Sequence, residues 1–99
     1  MSDTPERVEK IMSLDLREFH RSLKILAPNM VLADDQTEIV IPADRSEVRI
    51  VYEPLEKATL GGLLALPRAK VTLHLGALDK ARRQAFLMNF DRAFQRGGG

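Results

Sequence analysis

The sequence predicts an α+β domain: an N-terminal helix, an antiparallel meander of three to four strands with a long hairpin turning at Gly61 and Gly62, and a C-terminal helix, both helices on one sheet face. Three observations predict it. Apolar residues recur every three or four positions in "DLREFHRSLKIL" and in "ALDKARRQAFLMNFDRAFQR", and every two positions between them. Two separate hairpins then select the same inward residues. Ninety-nine residues suffice for one core and not for two, so the reading is a single domain over residues 1–99.

The main helix starts at Asp15, because Asp15 and Glu18 have the spacing of a capping box and Leu14 can staple onto Phe19. Leu16, Phe19, Leu23 and Leu26 form its apolar stripe, and Pro28 stops it near Leu26. Upstream, Pro5 suits a first helical turn and Val8 and Met12 continue the stripe, so residues 1–12 read as a short separate helix or a flexible segment. "MVLAD" reads as a possible first short strand. In "TEIVIP" and "EVRIVYE" the period is two. A turn centred on Asp44 and Arg45 sets Ile41 opposite Val48 and Ile39 opposite Ile50. A tight turn at Gly61 and Gly62 sets Tyr52 opposite Val71, Ile50 opposite Leu73 and Val48 opposite Leu75, with Glu53 facing Lys70 on the outer surface. Pro54 and Pro67 make the outer half of this hairpin irregular or an edge. The last helix opens with Asp79 in its first turn, where the helix dipole favours an anion.

Composition narrows the function. Fifteen basic and fourteen acidic side chains leave a net charge of +1, so no global field draws the chain to nucleic acid, and any such binding needs a local patch. The lack of cysteine removes disulfides, thiol nucleophiles and thiolate metal sites, and fits a reducing, cytoplasmic location. "LGGLLALP" is far shorter than a membrane span, and the N-terminus lacks the apolar core of a signal peptide, so membrane insertion is not expected. His20 and His74 have no second ligand at metal-binding spacing, and Ser13, Ser22 and Ser46 sit in no nucleophile elbow. No catalytic residue, metal or cofactor is therefore expected.

The terminal "FDRAFQRGGG" has a superficial likeness to the glycine tails of ubiquitin-like carriers. Those tails leave a strand, whereas this one follows a helical period ending in arginine, an ordinary helix stop with residues 97–99 as a flexible tail. Helix, three strands, helix is also the order of double-stranded-RNA-binding domains, but "GALDKARRQ" stands where their glycine and lysine pattern belongs.

The last helix carries more apolar surface than one sheet face can cover. Phe86, Phe90, Ala93 and Phe94 form one stripe, and Leu78, Ala81, Ala85 and Met88 an adjoining one. The expectation is a small non-catalytic interaction module, a homo-oligomer or a partner of another protein. Its contact residues are Leu60, Leu63, Leu64 and Leu66 on the hairpin and Leu78, Ala81, Ala85 and Met88 on the helix. The alternative is nucleic-acid binding through Arg17, Arg21 and Lys24 on the first helix and Lys80, Arg82 and Arg83 on the last, where cations oppose the dipole and need another reason to be present. A third option is an apolar-ligand carrier with its ligand between helices and sheet beneath the long hairpin.

Overall fold

A computed structural model describes residues 6–43, 46–62 and 64–97. In chain order the elements are β1 (Arg7–Met12), α1 (Leu16–Leu26), β2 (Glu38–Ala43), β3 (Ser46–Leu60), β4 (Leu64–His74) and α2 (Lys80–Gly97). The strands make one antiparallel sheet in the order β1-β4-β3-β2. Both helices lie on one of its faces: Phe19 of α1 meets Tyr52 of β3 with ring centroids 5.1 Å apart, and Asp91 of α2 meets Lys10 of β1 at 3.0 Å.

The first correction is at the N-terminus. Residues 7–12 are a strand, not a helix, and pair along β4 from Arg7 opposite His74 to Met12 opposite Ala69. Val8, Lys10 and Met12 alternate inward, and the ion pair of Lys10 with Asp91 lets a lysine occupy an inward position. Residues 1–5 lie outside the described chain. The second correction concerns "MVLAD", which forms no strand. Local turns take its place, Met30 N donating to Ala27 O and Gln36 N to Ala33 O, and Val31 stands 92% exposed.

The rest follows the expected chemistry. In α1 the capping box is complete: Glu18 N donates to Asp15 Oδ1 at 2.9 Å and Asp15 N to Glu18 Oε1 at 3.3 Å. Ile41 lies opposite Val48 and Ile39 opposite Ile50, with Ala43 opposite Ser46 closing the pairing; Asp44 and Arg45 lie outside the described residues. Tyr52 faces Val71, Ile50 faces Leu73, and Glu53 faces Lys70 with an ion pair of 3.8 Å. The ladder ends at Arg49 opposite His74, so Val48 and Leu75 both enter the core but are not paired.

The outer half of the long hairpin is irregular, as Pro54 and Pro67 imply, and it reaches this register through two compensating departures. At its tip Leu60 pairs with Leu64, one residue further along β4 than a turn of Gly61 and Gly62 alone would give. Gly61 and Gly62 take φ of 61° and 70°, where glycine has no steric penalty. The extra residue is absorbed by a bulge between Leu55 and Ala58, where Glu56 and Lys57 oppose Pro67 alone. Both prolines stand on open edges. Tyr52 N donates toward β2, so the ring nitrogen of Pro54 points the same way, beyond the end of β2. Pro67 O accepts from Ser13 Oγ on the β1 side, just past Met12, and its ring nitrogen shares that side.

The core lies between sheet and helices. Phe19, Leu23, Ile39, Val48, Ile50, Val71, Leu73 and Phe90 are fully buried, and Phe94 stacks on Phe90 at 4.1 Å. Tyr52 is 7% exposed and is the only tyrosine. Burial holds its phenol above the usual value, and the carboxylates of Asp15 and Glu18 add to the shift. The folded state thus holds this proton more tightly than the unfolded chain. The stability it contributes is complete below the ordinary phenol value of about 10 and is lost as pH rises through the folded value. Absorbance at 295 nm should show phenolate forming at higher pH in the native protein than in urea; coincident curves would refute this environment.

Candidate interaction surfaces

Three surfaces remain once the core is filled: the outer sheet face, the projecting hairpin and the helical layer. Charges of both signs are paired across the outer face. Arg7 pairs with Glu9 at 2.6 Å, Lys70 with Glu9 at 3.7 Å and with Glu53 at 3.8 Å, and Arg49 with Glu38 at 3.4 Å. Exposed pairs of this kind contribute little stability, but they leave no excess charge to attract a partner. His74 sits in this face, flanked by Arg7 and Arg49.

The hairpin becomes a free arm beyond Pro54 and Ala69, since β1 ends at Met12 and β2 starts at Glu38 opposite Val51. It runs on for roughly 20 Å as two strands that pair, among the described residues, only with each other. The bulge has a consequence for its faces: it shifts the alternation of β3 by one residue and so places Ala58 on the same side as Leu55, Leu64 and Leu66. Leu64 is 53% exposed and Leu66 half-buried. Leu63 lies outside the described residues, as does the side chain of Leu60.

The second helical stripe is divided. Leu78 does not belong to α2 at all; it precedes the helix and is buried in the core. Asp79 is the cap and not a first-turn residue, its Oδ1 accepting from Arg82 N at 2.9 Å. Ala81, Ala85 and Met88 are exposed, Met88 by 57%. Ala85 joins Ala43, Leu78, Phe86, Arg82 and Asn89 around a shallow cleft of about 260 Å³. This cleft and the arm do not form one patch. The hairpin tip and the base of β4 are separated by roughly 40 Å, most of the 47 Å long axis.

The basic residues also divide. Arg82 reaches Asp79 at 3.7 Å, and Arg83 Nε donates to the carbonyl of Leu78 at 2.9 Å, so these cations have structural partners at the helix start; Lys80 is engaged as well. Arg17, Arg21 and Lys24 instead line an open cleft of about 520 Å³ with His20 and Asp34. Sequence reasoning missed Asp34, whose place opposite α1 depends on how the 27–37 connection folds back. An apolar groove of about 540 Å³ lies at the β2 edge between residues 27–31 and Val40, Ile41 and Pro42. Among the described residues no group of three potential ligands could hold a metal, and no helix is long and apolar enough to cross a membrane. Comparison of the chain with family models, with curated proteins and with solved structures finds no match in any of the three.

Proposed function

We propose that this chain is a small non-catalytic interaction module that pairs with a second copy of itself, each arm seating on the α2 surface of the other. The observation that carries this reading is the arm: a two-stranded ribbon with apolar residues gathered on one side and, among the described residues, no other helix or strand paired with it. A ribbon of two strands is marginal in water and gains stability from a surface that covers its apolar side. The exposed Ala81, Ala85 and Met88, beside the cleft of Ala43, Leu78 and Phe86, offer such a surface at the opposite end of the molecule. Complementary surfaces at opposite ends close on each other when two copies run in opposite directions about a two-fold axis, with two equivalent contacts.

Native mass spectrometry of the full chain is expected to give a dimer. Leu64→Asp is expected to convert it to monomer without loss of helical circular dichroism, and Ala85→Glu to do the same from the other side. A wild-type monomer at tens of micromolar would overturn the reading. A dimer broken by Leu64→Asp but indifferent to Ala85→Glu would remove α2 as the receiving surface.

A further inference from the structure

Charge in this protein is segregated in a way the net value conceals. The two helices carry eight basic residues against two acidic ones, Glu18 and Asp91, and these two acids are occupied by the capping box and by Lys10. On α1 the cations are grouped: Arg17, Arg21 and Lys24 are exposed, line the same cleft, and make no ion pair or hydrogen bond among the described residues. Three unpaired cations on one helix face repel one another, a cost that a bound anion removes.

The opposite wall is tied to the helix by one hydrogen bond and held in shape by two of its own. His20 Nε2 donates to Gln36 O at 2.7 Å, Ala33 N donates to Gln36 Oε1 at 3.1 Å, and Gln36 Nε2 donates to Glu38 O at 3.1 Å. The cleft therefore exists before any ligand enters. Its cations are spread, not focused: from Arg17 to Lys24 the helix rises about 10 Å, longer than one phosphate and suited to a row of them. Its concavity fits a strand and not the plane of a bilayer. Asp34, alone on the far side, confines the negative charge to the helix wall.

We propose that this cleft binds the phosphate backbone of a single nucleic-acid strand, with Arg17, Arg21 and Lys24 as the phosphate contacts. The site is independent of the arm and does not rest on self-association. The test is fluorescence anisotropy with a labelled single-stranded oligonucleotide. Three phosphate contacts give a slope near −2 in log K against log salt, so affinity should fall about 20-fold between 50 and 200 mM salt. Substituting glutamine for Arg17, Arg21 and Lys24 together should weaken binding by at least about 10-fold. The same replacement of Arg7, Arg49 and Lys70, which removes equal charge from the outer face, should change it by less than about 3-fold. Asp34→Asn should tighten binding. No anisotropy change at 50 mM salt, or equal losses from the two triple variants, would overturn the proposal. Displacement of the strand by inorganic pyrophosphate at equal phosphate concentration would also overturn it, assigning the cleft to a small phosphorylated ligand.

Discussion

Val71→Asp is expected to prevent folding, while Lys70→Ala, one position away, is expected to change stability by no more than about 0.5 kcal/mol. Val71 is fully buried at the centre of the sheet, between Tyr52 and Lys10 and beneath the helical layer. A carboxylate there must be desolvated or protonated, at a cost of several kcal/mol, against a total stability of about 5–15 kcal/mol for a small domain. Lys10 does not rescue it, because its ammonium already serves Asp91. Lys70 points to the other face, where its pairs with Glu9 and Glu53 are solvent-screened. Circular dichroism and urea denaturation of both variants check this. A folded Val71→Asp protein with near wild-type stability would mean that the inward and outward faces of β4 are misassigned.

That alternation was legible in the sequence because two hairpins constrained each other. Ile39, Ile41, Val48 and Ile50 in one hairpin, and Ile50, Tyr52, Val71 and Leu73 in the other, face inward together only in registers of one parity, because a one-residue slip turns a whole set outward. The β1 strand was hidden for a corresponding reason. Its inward set is Val8, Lys10 and Met12, and the lysine interrupts the apolar alternation. What remains, Val8 and Met12, is four apart and imitates a helix. The counter-charge that resolves the ambiguity belongs to the last helix, and the strand's partner is β4, so both pieces of information are remote in sequence.

The surfaces were legible to different depths. The row of Arg17, Arg21 and Lys24 follows from helical period alone, whereas the cleft they line needs the return of the 27–37 connection. At α2 the helical period of the sequence begins two residues before the helix does. Leu78 fits the helical stripe on paper, but Asp79 caps the helix behind it and Leu78 turns into the core. Arg82 and Arg83 beside that cap find their partners in the carboxylate of Asp79 and the carbonyl of Leu78. The bulge at Glu56 and Lys57 had no signal of its own beyond Pro67 opposite it. Yet it decides which residues share a face on the arm.

Phe19→Ala is expected to destabilise the protein by about 3–5 kcal/mol. Phe19 is fully buried where α1, α2 and the sheet converge, its ring 5.1 Å from Tyr52 and 5.9 Å from Phe94, and Phe94 in turn stacks on Phe90. Removing the ring costs its transfer free energy and leaves a cavity bounded by three elements, none of which can close it alone. Phe86→Ala, at a half-buried position on the same stripe of α2, should cost distinctly less, because its surroundings are already partly solvated. In urea the Phe19→Ala midpoint should fall by more than 1 M with little change in slope, at slopes of about 1–3 kcal/mol per molar. The same variant should bring the Tyr52 phenol back toward its ordinary value, since burial is the larger cause of its shift. Stability lost without any change in the tyrosine titration would show that Phe19 braces the two helices against each other but does not shield Tyr52, and the aromatic cluster would then divide between α1–α2 and the sheet.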